Sequence, residues 1–190
     1  DGTVFIADLS YNRVRRVGPD GVIDTVLGTG EGGMGPAGHG PEVAVRGPER
    51  LLVDEAGSRL LVADALNNRV LAVDLTSLQA TVVAGTGDVG FAGDGGPATA
   101  AQLDRPTGLA LTPDGGVLIA DLGNDRLRHV GPDGVVDTVA GGGERTRPAD
   151  PLDARILGPS GLAFTPGGDL LVAERLGQRV LRWSGAADAL

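Results

Sequence analysis

Short apolar segments separated by turn residues follow one another along the whole chain. Segments such as Leu60–Ala63 and Val117–Ala120 are apolar on successive residues rather than on alternate ones. They are rich in β-branched residues and bounded by Gly, Pro or Asp, which is typical of strands. A strand with one wet face would alternate, so these strands must be covered on both faces. The pattern therefore predicts a β-propeller, in which each four-stranded blade lies between two neighbours.

One phrase occurs four times and sets the length of a repeat. In "VADALNNRV" (62–70) an acid lies five residues before an arginine, and the same spacing recurs in three similar phrases. The four acid–arginine pairs are Asp8/Arg13, Asp64/Arg69, Asp121/Arg126 and Glu174/Arg179. Their acids are 56, 57 and 53 residues apart, so the chain is predicted to be an array of structural repeats.

Aligned on these acids, a full repeat contains four predicted strands. The units are residues 1–47, 48–105, 106–158 and 159–190, which together form a single propeller segment. The first unit lacks its first strand and the last unit lacks its fourth. The units therefore have three, four, four and three strands, or 14 strands in about three and a half blades. Because propeller rings close by pairing their chain ends, we expect this chain to be part of a larger propeller.

The repeated phrases also carry a family resemblance. The motif "ADxxNxR", with "PxGLA" ahead of it and a "TVAG"-like strand behind it, resembles the NHL-repeat β-propellers. The similarity is greatest to the bacterial type, whose blades are joined by loops like "GTGDVGFAGDGGPATAAQLDRP" (85–106). Such repeats also occur in large cell-surface and YD-repeat proteins, so the location is left open by the sequence, with an extracellular or cell-surface one favoured over a cytoplasmic one. The resemblance implies an all-β fold but no particular function, because propellers host many unrelated activities.

Composition and charge exclude several classes of protein. A net charge of −9 argues against a nucleic-acid binder, which needs a basic face. The absence of cysteine removes disulfides, thiolate metal sites and Cys nucleophiles. No apolar run reaches about 18 residues, so no membrane insertion is expected. The chain starts at Asp1 with neither a methionine nor a signal peptide, which indicates a processed or excised segment.

The acid–arginine pairs could be either catalytic or structural. Each acid is predicted at a strand end and each arginine at the start of the next strand, so a charge-assisted hydrogen bond would hold the loop between them. Four copies of one pair favour the structural role. The last copy, Glu174/Arg179, has a longer acid and the least certain geometry.

Catalytic and metal sites find little support in the remaining residues. Propeller lyases and lactonases place several histidines on a metal, whereas this chain has only His39 and His129. Neither histidine lies near a strained serine turn. Asp88 and Asp94 lack the spacing of a calcium loop, and the glycines around them lack the "GK[ST]" of a phosphate cradle. We expect no catalytic residue, no metal and no cofactor.

The long loops between blades are the predicted recognition surface. They cover residues 28–47, 85–105 and 141–158 and are expected on one face, around the central channel. The candidate ligand-binding residues on them are His39, Arg46, Asp88, Phe91, Asp94 and Arg145. The alternative is that these loops only brace neighbouring blades, with Phe91 as an anchor and Met34 in the comparable place one loop earlier.

The sequence thus predicts a non-catalytic scaffold or binding module for a protein, glycan or small ligand. The alternative is part of a propeller hydrolase or lyase whose catalytic residues lie in blades outside this segment. Self-association, or fusion to further blades or domains, is also expected, because the end blades would expose strand edges and apolar faces.

Overall fold

Four antiparallel sheets follow one another along the chain and stack face to face as propeller blades. The computed structural model describes residues 2–145 and 151–189. The strands of the first two blades are β1 (Val4–Asp8), β2 (Arg13–Val17) and β3 (Ile23–Leu27), then β4 (Gly38–His39), β5 (Pro48–Asp54), β6 (Arg59–Asp64), β7 (Arg69–Asp74) and β8 (Gln79–Ala84). The strands of the last two are β9 (Gly96–Pro97), β10 (Pro106–Leu111), β11 (Val117–Asp121), β12 (Arg126–Val130) and β13 (Val135–Gly141), then β14 (Pro159–Phe164), β15 (Leu170–Glu174) and β16 (Arg179–Trp183).

The order of strands confirms the all-β propeller fold. The sheets run β1-β2-β3, β5-β6-β7-β8-β4, β10-β11-β12-β13-β9 and β14-β15-β16. The first strands β5, β10 and β14 contact one another from blade to blade, so they form the inner edge. The described residues contain the predicted 14 strands as three, four, four and three, and two further strands of two residues each, β4 and β9, which come from the long loops.

These two short strands correct the expected course of the long loops. β4 pairs with β8 and β9 pairs with β13, so the middle of each loop extends the outer edge of the next blade. The loop then returns across the face to the inner strand, through a 3₁₀ turn at Gly40–Glu42 or Ala98–Ala100. The loops therefore cross one whole face instead of surrounding only the channel. Residues 146–150 of the third long loop lie outside the described residues.

The core consists of three apolar layers, one between each pair of blades. Successive residues of a strand enter different layers: Leu60 and Val62 pack toward the first blade, whereas Leu61 and Ala63 pack toward the third. In β11 the same alternation sends Ile119 into one layer and its neighbours into the next. Burial on both faces explains why these segments are apolar at every residue.

Apolar side chains are exposed on the outward faces of the first and last described blades. Val4 and Ile6 are 53% and 42% exposed, and Val180 is 65% exposed. The chain continues past β16 into a short helix, α1 (Ala186–Ala189), while Trp183 packs against the third core layer. None of the helices in the described ranges is long and apolar enough to cross a membrane.

The loop face as a candidate binding surface

One end of the propeller gathers the repeated turns and the long loops. The turns join the second and third strands of each blade at residues 8–13, 64–69, 121–126 and 174–179. Beside them run the long loops at 28–47 and 85–105 and the described parts of the third, 141–145 and 151–158, and together these segments are called the loop face. In blades 2 and 3 the turn is a 3₁₀ helix, Ala65–Asn67 or Leu122–Asn124. Each helix ends at a residue in the left-handed conformation, Asn68 or Asp125, which Asn and Asp tolerate better than most residues.

In blade 2 the acid–arginine pair is buried and joined to the preceding long loop. Arg69 Nε donates to Asp64 Oδ2 at 2.8 Å, and the two side chains are 2% and 0% exposed. The guanidinium also donates to the carbonyls of Gly35 (2.7 Å) and Ala44 (3.0 Å). One arginine therefore connects the turn to two points of the loop that precedes the blade.

The Asp64 carboxylate is satisfied by the same loop and turn. It accepts hydrogen bonds from the backbone N–H of Arg46 (2.7 Å) and from Asn67 Nδ2 (2.9 Å). Burial raises the pKa of Asp64 above its ordinary value, and these hydrogen bonds and Arg69 oppose that rise. Because these partners within the protein hold both carboxylate oxygens, Asp64 is not placed to exchange a proton with a substrate.

Blade 4 repeats the arrangement with a longer acid. Glu174 pairs with Arg179, and its Oε1 accepts the backbone N–H of Leu157 at 2.7 Å. Arg179 Nη2 donates to the carbonyl of Arg155 at 3.2 Å, so this pair also reaches the preceding loop. The longer acid keeps the arginine and the loop N–H as partners, but it has no counterpart of the Asn67 amide, because the equivalent residue is Gly177.

In blade 3 the expected pair Asp121/Arg126 does not form. Asp121 still accepts the backbone N–H of Asp104 and the amide of Asn124, both at 2.7 Å. Its arginine partner is Arg128, with Nη1 at 3.6 Å from Asp121 Oδ2. Arg128 lies two residues further along β12 and therefore leaves the same face of the strand. Burial raises the pKa of Asp121 to about 6.

Blade 1 forms no ion pair between Asp8 and Arg13 within the described part of the chain. Arg13 Nη2 donates instead to the carbonyl of Thr29 at 2.9 Å. In blades 2 and 4 a preceding loop supplies further partners to both members of the pair.

A second repeated contact, which the sequence reasoning missed, connects each blade to the next. The side-chain oxygens of Asn12, Asn68 and Asp125 accept the backbone N–H of the residue just before the next inner strand. The acceptor–donor pairs are Asn12 and Gly47 (3.0 Å), Asn68 and Arg105 (3.0 Å), and Asp125 and Gly158 (2.7 Å). The signal was an Asn or Asp directly before each of the first three repeated arginines.

The six predicted ligand-binding residues are spread over the loop face. His39 lies at the outer edge in β4, where its Nδ1 is 3.8 Å from Glu42. The side chains of Arg46 and Asp88 are exposed, and Arg145 is 73% exposed at 4.0 Å from Asp153. Of the six, only Phe91 and Asp94 lie in one group. Two arginines join them: Arg126, which was predicted to pair with Asp121, and Arg128, for which the sequence predicted no role.

This group is called the Phe91 cluster and comprises Phe91, Asp94, Arg126 and Arg128. The ring centroid of Phe91 lies 4.0 Å from Arg126 Cζ and 4.9 Å from Arg128 Cζ, which are cation–π distances. Asp94 accepts from Arg128 Nη2 at 2.6 Å and from the hydroxyl of Thr138 at 2.8 Å. Phe91 is nevertheless 42% exposed, so it is both an anchor for its loop and part of the surface.

A His, Thr and Asp group at the opposite face does not have the geometry of a nucleophile site. Thr112 Oγ1 lies 3.2 Å from His129 Nε2, but the hydroxyl donates to Asp114 at 2.6 Å. Asp114 also accepts the backbone N–H of Gly116, so the group stabilises a turn. Across the described ranges, no three His, Asp or Glu side chains are grouped so that they could hold a metal ion.

Fold and site together define a β-propeller of repeated four-stranded blades whose repeated turns are braced by long loops. Residues 1–155 match the Teneurin NHL domain family, and the chain belongs to that family. Over 188 residues it is 31% identical to mouse (Mus musculus) Teneurin-3, covering 87% of this chain and 6% of that protein. Zebrafish (Danio rerio) Teneurin-3 is 30% identical over 187 residues, with the same coverage of both chains.

Solved structures share the fold at low sequence identity. A Bacteroides thetaiotaomicron protein of unknown function superimposes with a TM-score of 0.74 at 20% identity, over 96% of this chain and 44% of its own. An auxiliary nutrient binding protein from the same organism gives 0.72 at 16% identity, over 95% and 44%. A chain of a nidogen/laminin complex gives 0.66 at 17% identity, over 98% and 57%. This chain thus spans about half of such propellers.

Proposed function

We propose that this chain is a non-catalytic binding module that presents its loop face to a ligand. The observation that carries the proposal is the use of the acid–arginine pairs. In blades 2 and 4 they are committed to each other and to backbone groups of the preceding loop. The acids and arginines that could take part in catalysis thus hold the turns and loops together. Phe91, Arg46 and Arg145 remain exposed at the surface.

The proposed ligand is a protein, a glycan or a small molecule outside the cell. Fold neighbours include an auxiliary nutrient binding protein and a chain of a nidogen/laminin complex, which supports binding as the role of this architecture. Nucleic acid is disfavoured by the net charge of −9. The resemblance to repeats of cell-surface proteins supports an extracellular location.

Binding to arrays of glycans and of extracellular proteins tests the proposal. We expect specific retention of the chain on one of these arrays, and reduced retention of a loop-face variant carrying Phe91→Ala and Arg46→Ala. A variant with Arg15→Ala, on the middle of β2 and away from the loop face, is the matched control. Loss of binding in the control alone would contradict the proposal.

Metal analysis separates the module from the hydrolase or lyase alternative. Solved propellers of similar fold include a gluconolactonase and a virginiamycin B lyase, at 18% and 12% identity. For a binding module we expect no stoichiometric metal ion after dialysis and no turnover of lactones. A tightly bound ion together with turnover would favour the enzyme.

A further inference from the structure

Blade 3 uses its repeated arginine differently from blade 2. Arg69 makes hydrogen bonds to a carboxylate and two carbonyls, whereas Arg126 at the same place in the repeat makes one, from Nη1 to the carbonyl of Asn124 at 2.7 Å. The Nε and Nη2 donors of Arg126 bond to no residue in the described ranges. Within the described ranges, Arg126 is therefore a partly exposed guanidinium with no carboxylate partner.

Arg128 makes this possible by taking over the role of the repeated arginine. Its side chain is fully buried and lies between Asp94 and Asp121, at 2.6 and 3.6 Å. Its charge is thus matched by acids within the protein, although its buried Nε has no hydrogen-bond partner among the described residues. Within the Phe91 cluster, the positive charge that no described acid matches belongs to Arg126.

Phe91 adds an apolar surface directly beside this guanidinium. Its loop is held in the same way as the preceding one, because Asn124 Nδ2 donates to the carbonyl of Gly90 (2.7 Å) as Asn67 Nδ2 donates to that of Gly33 (2.8 Å). The residue after this glycine is Phe91 in one loop and Met34 in the other. In the third blade an exposed aromatic ring therefore lies over a repeated arginine that has no carboxylate partner among the described residues.

Asp94 supplies a third kind of group at the same site. Its side chain is 39% exposed, and each carboxylate oxygen already accepts one hydrogen bond, from Arg128 or Thr138. Carboxylate oxygens have about two acceptor sites each, so both can accept another hydrogen bond from a ligand hydroxyl. The site thus combines the guanidinium of Arg126, the apolar ring of Phe91 and the carboxylate of Asp94, which can accept a hydrogen bond from a hydroxyl.

We infer that Arg126, Phe91 and Asp94 bind a uronic acid residue of an acidic saccharide. The inference rests on the proposed binding function and assigns it a ligand and a site. A uronate carboxylate matches the two free donors of Arg126, since guanidinium binds carboxylate in a bidentate manner. The C–H face of the sugar packs against Phe91, and its hydroxyls donate to Asp94. A glutamate side chain would use only the first of these groups, and inorganic phosphate has no C–H face to pack against Phe91.

Calorimetry with galacturonate trisaccharide tests the inference on the full 190-residue chain. The comparison ligands are the neutral galactose trisaccharide, inorganic phosphate and N-acetylglutamate. We expect the uronate to bind and the three others to bind at least about tenfold more weakly, because each lacks part of the recognition. Binding of the neutral sugar or of N-acetylglutamate with equal affinity would overturn the assignment of the ligand.

Variants locate the site. Arg126→Gln is expected to weaken uronate binding by about tenfold or more, and Phe91→Leu by several-fold. Arg126→Lys keeps the charge but loses the fork, so it should weaken binding too while preserving the fold. Met34→Leu, the matched change in the preceding loop, should leave the affinity unchanged, and thermal unfolding checks that each variant is folded.

The outcomes distinguish this inference from the proposed function. Uronate binding that is unaffected by both Arg126 variants overturns the site but leaves a binding module. Retention on the protein array with no binding of any saccharide overturns the ligand class and again leaves the module. Absence of binding on both arrays and in calorimetry overturns both.

Discussion

Arg69 and Arg126 occupy the same place in successive repeats, yet their side chains bind different partners. Arg69 is buried with Asp64, and the residue two further along its strand is Leu71, which cannot pair with that carboxylate. In blade 3, Arg128 reaches Asp121 from two residues further along the strand, and Arg126 is displaced onto Phe91. At the scale of the residue, a repeated motif thus gave one structural contact in blade 2 and a candidate binding group in blade 3.

Replacement of the two arginines should therefore have unequal effects on stability. Arg69→Ala leaves the buried Asp64 carboxylate without its cation and frees two loop carbonyls, so we expect the free energy of unfolding to fall by about 3–5 kcal/mol. Arg126→Ala removes one hydrogen bond and a partly exposed contact, so its cost should be about 1 kcal/mol. Urea unfolding of both variants measures the difference, and equal losses would contradict the assignment of roles.

The titration of Asp121 gives a prediction about pH. Burial raises the pKa of this carboxyl from 3.8 to about 6, so between about pH 4 and 6 the folded state holds a proton that the unfolded state has lost. The contribution of Asp121 to stability should therefore fall as the pH rises through this window. Carboxyl chemical shifts followed by NMR should show a midpoint near 6, and Asp121→Asn identifies the resonance. A midpoint below about 4 would show that the hydrogen bonds and Arg128 outweigh burial.

At the scale of the element, the contact between successive blades depends on one side chain in each turn. Asn68 ends the 3₁₀ turn in the left-handed conformation, with φ of 49°, and its Oδ1 accepts the N–H of Arg105 in the next blade. Its Nδ2 donates to the carbonyl of Gly87 at 3.1 Å. The same residue thus ends its turn and fixes the entry to the next inner strand.

Substitutions at Asn68 can separate these two roles. Asn68→Gly keeps the left-handed conformation but removes both hydrogen bonds, so the free energy of unfolding should fall by about 1–2 kcal/mol. Asn68→Asp keeps the acceptor for Arg105 and should cost less, since Asp125 performs this role in the next repeat. Hydrogen exchange at the Arg105 amide should accelerate in the glycine variant and not in the aspartate one. Unchanged exchange of the Arg105 amide in both variants would contradict the proposed contact between Asn68 and the next blade.

At the scale of the whole molecule, the two outward faces determine how the chain behaves in solution. Val4 and Ile6 on the first blade and Val180 on the last are exposed on the faces that turn away from their neighbouring blades. Every inner blade buries the equivalent surface in a core layer. The apolar faces of the two end blades therefore favour association with other apolar surfaces.

We expect the 190-residue chain by itself to self-associate. Light scattering over a range of concentrations should show species larger than a monomer. Ile6→Thr combined with Val180→Thr should reduce association, because it removes apolar surface from both faces. Leu66→Thr, at an exposed residue of the loop face, serves as a control and should have little effect. A monodisperse monomer for the unmodified chain would contradict the prediction.

The site was predictable only in part, and the reason is visible in blade 3. The repeat placed Asp121 and Arg126 in the right turn, but it could not show that Arg128 would compete for the acid. His39 was expected near the channel because its loop joins two blades, whereas the pairing of β4 with β8 carries it to the outer edge. In both cases the outcome depends on contacts between segments distant in sequence, which a local motif does not encode.

The sequence by itself determined the blades. Strand pattern, turn residues and repeat length are local properties, and each of the four similar units carries them. Apolar runs such as Leu60–Ala63 already required burial on both faces, and the stacked layers provide it. Only the tertiary structure decided which arginine meets which carboxylate and which side chain remains free for a ligand. Those choices depend on the long loops, whose sequences differ between blades and whose backbone groups compete for the same side chains.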